Sequence, residues 1–155
     1  MKKLMMVVLL SVLLAGCTAP PVQPTDSSQP TQQPQPRQVL LTLPEGAAAP
    51  TAGEGGRQLW FLAEGELQVQ ILRSLQQALE QVTGLPEEKL TLMPSGENRV
   101  ETVWCSAGEG QPRIGRAVFL EEGGWCYCVS LLTDASQAQK AEKMWRSLVR
   151  SIHLA

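Results

Sequence analysis

Glu66-Leu67-Gln68-Val69-Gln70-Ile71-Leu72 runs directly into Arg73-Ser74-Leu75-Gln76-Gln77-Ala78-Leu79-Glu80-Gln81-Val82-Thr83-Gly84, and the fold turns on how these two pieces divide. Glu66 to Ile71 alternate strictly between polar and apolar side chains, as in a strand with one face buried. From Ser74 the period changes: Leu75, Ala78, Leu79 and Val82 share one helical face. Ser74 and Gln77 have capping-box spacing, and Gly84 suits the C-terminal cap. The pattern predicts a strand to about Leu72 and a helix over 74–83. A single long helix from Glu66 is the alternative.

On the N-terminal side, Arg57 to Ala63 is rich in Leu, Trp and Phe and suits a strand, with Gly65 turning it into the next. A Gly- and Ala-rich loop over 46–56 separates it from Gln38 to Leu43, another short apolar run, stopped by Pro44. On the C-terminal side, Lys89 to Met93 suits a short strand before a Pro94-Ser95-Gly96 turn. Three longer strands follow, Arg99 to Ser106, Arg113 to Glu121 and Trp125 to Leu132, with hairpin spacing between them. Asp134 is placed to cap a last helix, with Gln137 three residues on. There Ala138, Ala141, Trp145, Leu148, Val149 and Ile152 recur at helical spacing, leaving Lys140, Lys143, Arg146 and Arg150 outward. The order implies an α+β domain over residues 38–155 with a largely antiparallel sheet, a C-terminal amphipathic helix and a second helix packed on it.

The first 37 residues are different material. Lys2 and Lys3 precede Leu4 to Leu14, an apolar run of eleven residues broken only by Ser11. A bilayer-spanning helix needs about 20 residues, so this run reads as the core of a signal peptide over residues 1–16. Leu14-Ala15-Gly16-Cys17 resembles the lipobox of bacterial lipoproteins. The resemblance implies that the Cys17 thiol is joined to diacylglycerol and that cleavage falls after Gly16, a small residue that lets the backbone enter a narrow site. It places the chain on the extracytoplasmic face of a cell membrane, held by lipid. Thr18 to Arg37 contains six prolines and five glutamines with two charges, Asp26 and Arg37. Such a segment buries too little to repay ordering and is read as a spacer over residues 17–37, reaching up to ~60 Å in polyproline conformation.

Loss of Lys2 and Lys3 takes the formal charge from −2 to about −4. An acidic chain argues against nucleic acid as partner, which demands a basic face. An envelope protein, a small ligand or a wall component fits a small tethered domain.

The domain's first strand, Val39-Leu40-Leu41-Thr42-Leu43, running into Pro44-Glu45-Gly46, resembles that of PsbP-like proteins. So does its ending, the hairpin Gly123-Gly124-Trp125-Cys126-Tyr127 and a helix closing on Ser151-Ile152-His153-Leu154. The likeness covers most of residues 38–155 and implies an α/β/α sandwich. That family includes photosystem accessory subunits and GTPase-binding proteins. It brings no catalytic residue set, and the plant proteins' metal-associated role has no matching motif here.

Three cysteines remain beyond the lipobox. Cys126 and Cys128 share one face of a strand, and Cys105 lies two strands away, about 9–10 Å at the usual spacing, too far for a disulfide. All three read as small core residues. A disulfide through another strand order and a thiolate metal site stay open, as does a thiol-dependent enzyme or redox factor using Cys126 or Cys128, which requires an exposed, acidic thiol. His153, the only histidine, has no carboxylate or nucleophile beside it. The pairs Glu87-Glu88 and Glu121-Glu122 sit at turns and face solvent. Gly108-Glu109-Gly110 lacks the helix start that an anion-binding glycine loop needs. Trp60, Trp104, Trp125 and Trp145 are assigned to the core. No catalytic residue, cofactor or metal ligand is assigned, and the expected role is a non-catalytic binding or accessory module.

Overall fold

A computed structural model describes residues 34–106 and 110–155. The expected signal peptide over 1–16, the expected lipidation site Cys17, residues 18–33 of the expected spacer and residues 107–109 lie outside the described residues.

The strand-to-helix switch falls where the period changes. Strand β4, Gly65–Leu72, gives way at Arg73 to helix α1, Leu75–Thr83. The Ser74 hydroxyl accepts from the Gln77 backbone N–H at 3.2 Å, and the Gln77 side chain accepts from the Arg73 backbone N–H at 3.3 Å. One donor that the first turn would otherwise leave unpaired, and another just ahead of the cap, are satisfied. Gly84 ends the helix in the left-handed conformation.

Among the described residues seven strands form one antiparallel sheet. They are β2 (Thr51–Ala52), β3 (Gln58–Leu62), β4, β5 (Met93–Gly96), β6 (Arg99–Ser106), β7 (Arg113–Glu122) and β8 (Trp125–Asp134), in the spatial order β2-β3-β4-β8-β7-β6-β5. The last strand, β8, therefore occupies the middle, between β4 and β7. Its sequence is apolar on both parities, Trp-Cys-Tyr-Cys-Val, because both of its faces are covered. The β7–β8 connection is a two-residue turn at Gly123 and Gly124, both with positive φ (60° and 78°). Side chains resist that backbone at two successive positions, and glycine does not.

The sheet separates two apolar clusters. On one face α1 buries Ala78 and Leu79 against Trp104, Ala117, Phe119, Cys126 and Cys128. On the other, helix α2 (Ala138–Ser151) lays Ala141, Trp145, Leu148 and Val149 against Leu67, Val69, Val118, Val129 and Leu131. The expected α+β architecture with a large antiparallel sheet and a C-terminal helix is present.

Four expectations need correction. The strand expected over Gln38 to Leu43 is only β1, Val39–Leu40, and it joins β9, His153–Leu154, in a separate two-stranded ribbon. His153 is thus in a strand rather than the helix, which stops at Ser151. Lys89 ends a short 3-10 turn, and the strand begins only at Met93, taking in the expected Pro94-Ser95-Gly96 turn. The hairpin turn is Glu97-Asn98 instead, with Asn98 at φ 52°. Pro94 is tolerated because β5 is an edge strand. Asp134 caps nothing with its side chain. It closes β8, pairs with Arg113 at 3.5 Å and leads into a 3-10 turn over Ala135–Gln137.

Residues 34–37, placed in the spacer, make contacts with the domain. The Trp125 indole N–H donates to the Pro34 carbonyl at 2.8 Å, and the Arg37 backbone N–H donates to the Tyr127 hydroxyl at 2.9 Å. The Arg37 guanidinium holds Glu122 at 2.6 Å and the Leu154 carbonyl at 3.2 Å.

Candidate functional site

Cys126 and Cys128 point from β8 into the α1-side core and are fully buried. Burial raises the Cys126 thiol to about 12, with the Glu121 carboxylate adding to the rise. Burial, then the neighbouring Cys126, pushes Cys128 well above the usual thiol range. Neither forms a thiolate near neutral pH, so neither has the exposed, acidic character that thiol chemistry needs. Cys105 departs from the core expectation: β6 turns it to the opposite face, where it is exposed. Its strand partner is Ile114 on β7, and Ile114 faces Thr133 on β8, so it is remote from Cys126 and Cys128. All three are free, and among the described residues no cluster of three metal-binding side chains occurs. Of Cys105, Cys126 and Cys128, thiol labelling of the folded chain is expected to modify Cys105 only, and denaturation to expose the other two. Fast reaction of either buried thiol in the folded state would contradict this arrangement.

Trp60, Trp104 and Trp145 are core residues at 8%, 7% and 6% exposure. Trp125 is only half-buried. Its ring lies 3.6 Å from the Arg73 guanidinium, a cation–π contact, and its N–H is taken by Pro34. It is pinned rather than presented. His153 is exposed, with Nδ1 3.0 Å from the Ser151 carbonyl. Glu87 and Glu88 are exposed on their 3-10 turn, while Glu122 binds Arg37. Trp125 and Glu122 line a shared cleft of about 340 Å³ with Arg73, Ser74 and Glu121, but Pro34 and Arg37 already hold them.

A different group converges elsewhere. Helix α2 turns Arg146 and Arg150 toward the β5–β6 edge, where Arg99 rises from β6. With Ser95, Glu101 and Trp145 they line a cleft of about 350 Å³. Arg99 is fixed: Nη2 donates to the Val149 carbonyl at 3.1 Å and lies 3.6 Å from Glu101, and its Nε is buried without an acceptor. Arg146 pairs with Glu142 one turn earlier on its own helix. Arg150 is exposed and has no carboxylate within 4 Å among the described residues. The buried Trp145 backs the cleft. In the sequence Arg146 and Arg150 were legible as outward cations of α2. Arg99 was not, since nothing local brings it beside a helix fifty residues away.

No protein-family model and no curated protein matches the chain. Among solved structures it is similar to a protein from Bacteroides thetaiotaomicron VPI-5482, known from a 1.50 Å crystal structure, with a TM-score of 0.52 at 12% identity. The match covers 76% of this chain and 45% of that one, so the present chain corresponds to under half of that protein. At that identity the likeness concerns the fold alone.

Proposed function

We propose that this chain is the precursor of a bacterial lipoprotein. Its mature form is tethered through diacylglyceryl-Cys17 to the extracytoplasmic face of a cell membrane, where a PsbP-like domain acts as a non-catalytic binding or accessory module. The observation that carries the reading is the order of the leader: Lys2-Lys3, an apolar core too short to span, Leu14-Ala15-Gly16-Cys17, then a proline- and glutamine-rich spacer. No helix among the described residues is long and apolar enough to cross a membrane, which leaves the lipid as the proposed attachment. Burial of Cys126 and Cys128 counts against the competing thiol-enzyme reading. The partner would be an envelope protein or a small ligand.

Metabolic labelling with a palmitate analogue tests the tether. The wild-type chain is expected to take up label and to sediment with membranes. Cys17→Ser is expected to take up none, since one thioether carries the lipid, and to keep its leader uncleaved. An unlabelled wild-type chain, or a labelled Cys17→Ser chain, would overturn the assignment. Crosslinking pull-down of the labelled protein then reads out the partner.

A further inference from the structure

The chain is acidic, yet its basic residues are not evenly spread. Of thirteen lysines and arginines, Lys140, Lys143, Arg146 and Arg150 fall on the fourteen residues of α2, against one acid, Glu142. At 100° per residue, Lys143, Arg146 and Arg150 lie within an arc of about 60°. Arg146 and Arg150 of this stripe face the β5–β6 edge, where Arg99 adds a further cation. Outward lysines and arginines are ordinary on an amphipathic helix. Here, though, two of them share a walled cleft with a third arginine from another element.

We propose that the Arg99–Arg146–Arg150 cleft binds a phosphate group, carried either by a phosphorylated small molecule or by an anionic lipid headgroup. The proposal deepens the binding-module reading and rests on it, by naming the chemistry of the ligand. Three guanidinium groups, against Glu101 in the lining and Glu142 paired with Arg146, leave the cleft with a net positive charge that favours an anion. Planar guanidinium forks hold phosphate oxygens in pairs, which lysine cannot do. Arg99 is pre-positioned by the Val149 carbonyl, so little of its freedom is lost on binding, while exposed Arg146 and Arg150 can close over the ligand. Ser95 offers a hydroxyl at the rim, and Trp145 excludes water from behind.

The test uses the whole mature chain as its Cys17→Ser form, so that no acyl chain contributes. Isothermal titration with inorganic phosphate is expected to show binding that weakens at least tenfold in Arg146→Gln/Arg150→Gln. Both residues are exposed, so this variant is expected to keep the wild-type circular dichroism. Lys89→Gln/Lys140→Gln removes the same charge away from the cleft and is expected to stay within twofold of wild type. Flotation with phosphatidylcholine vesicles, with and without phosphatidylglycerol, separates the two sources. Flotation only with the anionic lipid, lost in the arginine variant, identifies a headgroup; phosphate binding without flotation identifies a soluble ligand. Absence of phosphate binding, or equal losses in the two double variants, would overturn the proposal. So would flotation that survives Arg146→Gln/Arg150→Gln. Because palmitate labelling is read separately, failure here leaves the tether standing, and failure there leaves the cleft standing.

Discussion

Gly115→Ala is expected to destabilise the domain by about 2–4 kcal/mol, although it adds one methyl group. Gly115 sits on β7 opposite Trp104 on β6, and the indole lies flat over it. A Cβ there would fall 2.1 Å from Trp104 Cε2 and 2.2 Å from Cζ2, inside any permitted contact. Trp104 is 7% exposed and belongs to the core cluster beneath α1, so the ring has nowhere to move without giving up burial. For a domain of this size the loss corresponds to a fall in Tm of roughly 10 °C. The cause is specific to one pair and can be isolated. Trp104→Leu is expected to cost stability alone, but the double variant should be more stable than the summed losses by about 1 kcal/mol or more. Strict additivity, or a Tm change under about 2 °C for Gly115→Ala, would show that the ring does not hold the position described.

The second large effect is alkaline. Cys126 is fully buried with its thiol raised to about 12, and Cys128 is raised by the same desolvation. A group whose folded pKa exceeds its unfolded value supports the folded state fully below the unfolded value. That support is lost as pH rises through the folded one. The window is therefore from about 9 upward, with each thiol contributing a slope of about 1.4 kcal/mol per pH unit. Denaturant midpoints measured from pH 8 to 10.5 are expected to fall more steeply for wild type than for Cys126→Ala/Cys128→Ala. The double variant is expected to start about 1–3 kcal/mol less stable at pH 8, because two small cavities open in the α1-side core. Parallel slopes would mean that the thiols already meet solvent.

How far the fold could be read in advance depended on whether the deciding interaction was local. The switch at Arg73-Ser74 was legible because Ser74 and Gln77 satisfy each other's neighbourhood within one turn. The β6-β7-β8 meander is legible because each strand pairs with the one that follows it in the chain. Val39-Leu40 is a strand as expected, but the strand's short length and separate ribbon are not legible because its partner, His153-Leu154, lies at the far end of the chain. Asp134 was read as a cap because its spacing to Gln137 is right, but Arg113 across the sheet competes for its carboxylate. Cys105 was placed in the core with its two fellows because strand parity alone does not reveal that α2 leaves β6 uncovered there. The arginine cleft needed Arg99 and α2 brought together by the whole sheet, and no spacing in the sequence encodes that.

The sheet's strand order sets a condition on how this chain can be made and moved. Val69 pairs with Val129, sixty positions downstream, and β8 supplies a partner to both β4 and β7. A chain that emerges N-terminus first therefore exposes the β3–β4 hairpin long before the strand that covers its open edge exists. Until β8 arrives, the sheet has no middle and the α1-side core lacks Cys126 and Cys128; α2, which packs on Val129 and Leu131, comes later still. Such a chain stays threadable for nearly its full length and acquires resistance to being pulled apart almost at a stroke. Under the export proposed above, late closure of the centre would be a built-in delay.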